Sequence, residues 1–174
     1  MRLIKGFIFV LAGLFIMITL ISLLMPSKVM TVRAVVVHAD HDLILSQIND
    51  LKKWKDWHPV FMSDSSNVTI STPSIGVNAF VTWNTNGKEN KFLITESDAN
   101  HIKATLMRSG ENDVANIISI NPINYSTAVQ VEWRVLTTLK WYPWEKFYGI
   151  FIDKLSGPGY EFALNNLKEL AEKR

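Results

Sequence analysis

The densest group of side chains able to do chemistry is His38-Ala39-Asp40-His41-Asp42, two imidazoles and two carboxylates within a few positions. These residue types ligate zinc. They stand, however, where a strand gives way to a helix, and there Asp40 reads as an N-cap and Asp42 as an acid that favours a helix N-terminus. A metal site is therefore not expected. Imidazole as a group titrates near neutrality, which makes His58 and His101 candidate general bases. Neither has an orienting partner visible in the sequence, so His58 reads more simply as a loop residue and His101 as a surface strand residue. Glu96 is the more interesting acid. If Phe92 and Ile94 face a cavity, alternation puts Glu96 on the same dry face, where burial raises its pKa or demands a partner such as Arg108 or Tyr125. The simpler reading places it at the sheet edge in water, because strand ends are where bulges are common.

Several chemistries lack their signature. With no cysteine there is no disulfide framework, thiolate metal site or cysteine nucleophile. No Gly-x-Ser-x-Gly elbow, phosphate loop, His-Glu-x-x-His or dinucleotide fingerprint occurs, and no cofactor is implied. The formal charge of +2 comes from Arg2 and Lys5, which leaves 16 basic against 16 acidic residues in the remainder. A nucleic-acid partner, which needs a basic stripe, is not expected.

The elements that must position these side chains begin with Gly6 to Met25, twenty uncharged residues, enough at about 1.5 Å per residue to cross a hydrocarbon core of about 30 Å. The run is longer than a signal-peptide core, and no small-x-small cleavage site follows it, so an uncleaved anchor is expected over a cleaved signal. Arg2 and Lys5 precede it, which keeps the N-terminus cytoplasmic and sends the domain to the periplasmic side, although Lys28 and Arg33 weaken the asymmetry. The chain then divides into residues 1–28, anchor and linker, and residues 29–174, one domain.

Val29 to His38 is β-branched and apolar enough for a largely buried strand. Leu43, Ile44, Ile48 and Leu51 follow with helical spacing as far as Pro59, as two helices or one bent one, with Trp54 and Trp57 on a shared face. From Asn67 the period becomes two. Val77, Ala79, Val81 and Trp83 alternate with Asn78, Phe80, Thr82 and Asn84, and Asn86-Gly87 supplies a hairpin signal into Lys91 to Ser97. Strands follow over His101 to Arg108 and Val114 to Ile120, and Val129, Val131, Trp133 and Val135 alternate beyond Pro122.

At the C-terminus Tyr160, Ala163, Leu164, Leu167, Leu170 and Ala171 share one side of a helical wheel, and Gly157-Pro158-Gly159 is expected to break or kink the helix before them. Phe162 lies off that stripe, either against the Trp144 to Lys154 segment or exposed beside a membrane. Trp141, Tyr142 and Trp144 read first as core, then as a cavity mouth or as residues at headgroup level. The expected class is α+β: about six or seven antiparallel strands, curved around a long C-terminal helix and preceded by one transmembrane helix.

The succession VVVHAD, INDLKKWKDWHP, GVNAFVTWN, FLITESDANHI and YPWEKF…DKLSGPGYEFALNNLKEL resembles the polyketide cyclase/dehydrase branch of the START-like, helix-grip superfamily (SRPBCC) over roughly Met30 to Arg174. The most telling pieces are the tryptophan pair ending in His58-Pro59, Thr95-Glu96 and Gly157-Pro158. The resemblance implies a deep, mostly apolar cavity between sheet and terminal helix, in a superfamily that includes lipid carriers, hormone receptors and aromatase/cyclases. The expected function is binding of a hydrophobic small molecule or lipid, with Val81, Trp83, Ile94, Leu106, Val131, Trp133, Tyr160 and Leu164 as wall residues and Glu96 or Tyr125 fixing orientation. A cyclase- or hydrolase-like enzyme using Glu96 or His58 is the alternative, and an envelope protein-interaction module is the third.

Overall fold

A computed structural model describes residues 2–63, 67–124 and 126–173. Helix α1 spans Arg2–Leu23 and is exposed along most of its length. It begins earlier than the uncharged run because Arg2 to Lys5 continue the helix, and it ends in a tight turn ahead of Pro26, with Leu24 N–H on the Ile21 carbonyl. By length and composition, Leu3–Leu23 is able to cross a membrane.

Seven strands form one antiparallel sheet in the order β1-β7-β6-β5-β4-β3-β2: β1 Lys28–Val37, β2 Val68–Ile70, β3 Phe80–Thr85, β4 Lys88–Ser97, β5 His101–Arg108, β6 Val114–Pro122 and β7 Val129–Thr138. Asn86 and Gly87 turn β3 into β4 with φ of 52° and 75°, the left-handed pair that a two-residue hairpin requires. Inward residues of β5 to β7 are buried in strict alternation, Val129, Val131, Trp133 and Val135 among them.

Two strand expectations change. β1 is an edge strand whose outer positions Met30, Ala34 and Val36 are exposed, so its apolar composition reflects the helix it supports and not burial on both faces. Val77 lies in a turn before β3, because Gly76 and Asn78 adopt positive φ and delay the strand to Phe80.

Between β1 and β2 the chain forms α2 (His41–Asn49), a 3₁₀ helix over Leu51–Asp56 and α3 (Pro59–Ser63). Asp40 occupies the N-cap position of α2 but makes no side-chain cap bond.

Helix α4 runs unbroken through Pro143–Glu172, so Gly157-Pro158-Gly159 does not interrupt it. Its start is secured by Pro143 in the first turn and by Glu145, which accepts the Lys140 backbone N–H at 2.7 Å. The glycine has a packing role instead. A Cβ at Gly157 would lie 2.0 Å from the Arg33 guanidinium, which crosses the helix there and donates to the Asp153 carboxylate at 3.0 and 3.2 Å and to its carbonyl at 3.4 Å. Arg33 thus stands beside the turn in which Pro158 lacks an N–H to donate. Gly149 makes a second close approach, where a Cβ would fall 2.4 Å from Leu139.

Downstream, Ala163, Leu164, Leu167 and Ala171 are buried against the sheet. Trp141 and Trp144 are not core but exposed, as is Phe162, because the apolar row running from the start of α4 to Phe162 faces outward.

These three glycines should respond differently to alanine. Gly157→Ala and Gly149→Ala displace packed atoms and should each cost about 1–3 kcal/mol, whereas Gly159→Ala, whose Cβ meets nothing within 4 Å, should stabilise by about 0.5–1 kcal/mol. Thermal unfolding of the detergent-solubilised chain measures all three. A stabilising Gly157→Ala would show that Arg33 does not need the notch.

Candidate functional site

The site grows from two tryptophans three residues apart. The 3₁₀ helix brings Trp54 and Trp57 to a ring separation of 5.1 Å and tips both under the sheet, where they are fully buried. Their indole N–H groups donate to the Ile48 carbonyl at 2.8 Å and the Gln47 carbonyl at 3.3 Å, which fixes their rotamers. Trp54 meets Phe92 of β4 at 4.9 Å and Trp133 of β7 at 6.0 Å. Trp133 meets Tyr160 of α4 at 5.0 Å, so aromatic contact runs from the 3₁₀ helix through the sheet to the covering helix.

Beside this chain of rings lies a cavity of about 300 Å³. Trp54, His58, Phe61, Trp83, Phe92, Leu106 and Trp133 form its body, and Arg108, Leu155, Ser156, Gly159 and Tyr160 its rim. Phe61 of α3 stands edge-on to Trp83 at 5.3 Å and closes one end.

Asn116 on β6 is the polar residue in the floor. It accepts from the Trp133 indole at 3.1 Å and donates to the Val114 carbonyl at 3.0 Å. A second, more polar cavity of about 340 Å³, with Glu111, Asn112, Thr138 and Glu145 in its wall, lies across Arg108, Ser156 and Tyr160, which line both.

His58 is neither a surface loop residue nor a free base. Its ring stacks on Trp54 at 5.3 Å and approaches Phe61 at 4.8 Å and Trp133 at 5.7 Å, and its Nδ1 is buried without a hydrogen-bond partner. Desolvation lowers its pKa to about 3, because an imidazolium among aromatic rings loses its hydration. At neutral pH the ring is uncharged and a poor proton acceptor. Burial also raises the Tyr160 pKa, an effect that the Arg108 charge opposes.

Glu96 is absent from this site. The register between β4 and β5 shifts between Ile94 and Glu96, and that irregularity turns Glu96 to solvent, where it pairs with Lys103 and not with Arg108. Tyr125 lies outside the described residues.

Of the expected wall residues, Trp83, Leu106, Trp133 and Tyr160 line the cavity, while Val81, Ile94, Val131 and Leu164 are packed in the closed core behind it. Trp54, Phe61 and Asn116 were not anticipated as lining, while Phe92 and Arg108 entered only through the inward reading of Glu96. The shared face of the tryptophan pair was their clearest signal.

The His38 to Asp42 group is divided by the fold. His38 turns to Glu172 of α4, which accepts its backbone N–H at 2.8 Å and lies 3.2 Å from Nδ1. His41 turns to Asp42 at 3.2 Å. His101 sits 2.8 Å from Asp98 at the β4–β5 turn.

No protein-family model and no curated protein matches this sequence. Solved structures do. A START superfamily protein from Mycobacterium smegmatis is 16% identical with a TM-score of 0.60, over 83% of this chain and 97% of that one. Truncated norcoclaurine synthase from Thalictrum flavum is 16% identical with a TM-score of 0.63, over 86% of this chain and 98% of the other. A point mutant of that synthase in complex with a transition-state analogue aligns with a TM-score of 0.63 at 15% identity, over 84% of this chain and 95% of its own. At these identities the likeness is one of fold, and the fold is the START-like helix grip.

The buried imidazole gives a pH signature. Unfolded, His58 takes up a proton near pH 6.5; folded, it does so only at about 3. Between those values the unfolded chain binds the extra proton, so stability falls on acidification, by at most about 1.4 kcal/mol per pH unit. Asp98, Asp153 and Glu172 are held below the usual carboxylate range by hydrogen bonds, and their stabilisation is lost at still lower pH. Chemical denaturation at intervals from about pH 6.5 down to about pH 4.5 should show wild type losing stability faster than His58→Phe. Equal slopes would mean that the ring is hydrated.

Proposed function

We propose that this START-like chain is a membrane-anchored binding domain for a hydrophobic small molecule or lipid, held between the sheet and α4. Residues 1–28 serve as anchor and linker, and residues 29–174 as the ligand-binding domain on the periplasmic side. The observation that carries the reading is the cavity itself, walled by Trp54, Phe61, Trp83, Phe92 and Trp133 and holding an uncharged His58 with an unpaired Nδ1. A site of that composition gains its binding energy by desolvation. A ligand that buries roughly 200 Å² of apolar surface gains about 5 kcal/mol, offset by lost translational and side-chain freedom.

Orientation falls to the polar groups at the rim. Arg108, Ser156 and Tyr160 offer donors there, while His58 contributes its uncharged ring to the wall. The sequence pieces that resemble the polyketide cyclase/dehydrase branch support that assignment within the fold. Enzymatic use of the cavity would have to do without Glu96 and would have in His58 a weak base, which favours binding over acid-base catalysis.

Native mass spectrometry of the full chain released from membranes, with extraction of the bound species, tests the proposal. The expected result is a stoichiometric hydrophobic adduct. Gly159→Phe adds bulk at the rim where a side chain meets open space, and should lower occupancy several-fold without lowering the unfolding temperature. A chain that stays empty against a broad panel of lipids and apolar metabolites would sink the binding reading.

A further inference from the structure

From Trp144 to Phe162, α4 carries an apolar face that nothing among the described residues covers. Trp144, Tyr148, Phe151, Leu155 and Phe162 fall within an arc of about 60° on a wheel of about 100° per residue, and each is more than half exposed. Between Trp144 and Phe162 no charged residue of α4 falls within that arc, and Glu169 returns to its edge only about two turns farther on. Trp141, also exposed, lies just ahead of the helix. Scattered surface hydrophobics are ordinary, but a row that continues over five turns marks a surface with an occupant.

The join between α1 and α4 identifies the occupant. The ammonium of Lys146, 4% exposed, donates to the Met25 carbonyl at 3.3 Å and to the Ser27 hydroxyl, both immediately beyond the end of α1. The Leu139 backbone N–H donates to the Ser27 carbonyl at 2.8 Å. Helices α1 and α4 are in contact, and Ser22, in the last turn of α1, is completely buried. The first turn of α4 is therefore held at the level where the apolar helix ends. On the reading of α1 as a membrane span, that level is the headgroup region, where tryptophan and tyrosine are favoured.

We propose that the Trp144–Tyr148–Phe151–Leu155 face of α4, led by Trp141, lies in the lipid surface that α1 enters, so that the domain rests on the bilayer with its cavity rim against it. Leu155 belongs to both the apolar face and the rim of the aromatic cavity, and Tyr148 lines the neighbouring cavity. A hydrophobic ligand then passes between bilayer and cavity along α4 without crossing bulk water. The proposal rests on the span reading and deepens the binding function.

The chain contains no cysteine, so single-cysteine variants of the full-length protein each carry one nitroxide without background. In phosphatidylcholine vesicles, Tyr148→Cys, Phe151→Cys and Leu155→Cys report on the face. Gly13→Cys, where a Cβ meets nothing within 4 Å, reports on α1. Asn165→Cys, at an exposed position farther along α4, is the water reference.

The expected result is greater collision with oxygen than with a water-soluble nickel chelate at the three face positions and at Gly13, and the reverse at Asn165. Face labels that behave like Asn165 while Gly13 stays in lipid would overturn the membrane contact and leave the span intact. A water-exposed Gly13 would overturn both. Labels shielded from both reagents and broadened by a neighbouring spin would overturn it in favour of contact between two copies of the chain.

Discussion

The dry face of a seven-stranded sheet cannot be left in water, and one helix is too narrow to cover it. Seven strands spaced about 4.8 Å apart span about 30 Å, whereas a helix with its side chains is about 10 Å across. Helix α4 covers the part over β1 and its neighbours, locked to β1 where Arg33 fills the notch at Gly157. The segment from α2 to α3 supplies the rest of the cover by sending Trp54 and Trp57 under the sheet. The two covers come from distant parts of the sequence and do not meet everywhere. The cavity is the gap between them, and its aromatic walls follow from large rings serving as cover on both sides.

That origin explains what the sequence made legible. Period-two alternation located β5 from His101 to Arg108 and the inward row of β7, and Asn86-Gly87 marked a hairpin, because each depends on neighbouring residues alone. The buried stripe of the terminal helix was equally local, and Ala163, Leu164, Leu167 and Ala171 lie where the wheel put them. Features that depend on the third dimension are a different matter. Gly157-Pro158 reads as a helix breaker until the guanidinium from β1, more than a hundred residues away, is known to occupy the glycine's missing side chain. Alternation alone would turn Glu96 inward, and only the common occurrence of bulges at strand ends favoured the water-facing position that the register shift after Ile94 gives it. His58 reads as a loop residue until Trp54, Phe61 and Trp133 are assembled around it. Wall and core were also inseparable in the sequence, since Val81 and Trp83 share a face of β3 yet only Trp83 reaches the cavity.

The polar groups near the cavity are arranged so that few of them compete with an apolar ligand. Asn116 uses both ends of its amide on Trp133 and Val114, and the indole N–H groups of Trp54 and Trp57 are spent on backbone carbonyls. His58 Nδ1 is unpaired but shielded, so it too leaves the wall apolar. A wall of that kind selects by apolar area and shape, and leaves polar discrimination to Arg108, Ser156 and Tyr160 at the rim.

The union of Lys146 with Met25 and Ser27 has a mechanical consequence. Strand β1 starts at Lys28, so there is no slack between the apolar helix and the sheet, and the buried ammonium pins the same point from the other side. A joint of that kind transmits torque. Whatever turned α1 about its own axis would act first on the start of β1 and the first turn of α4, the two elements that meet at this joint.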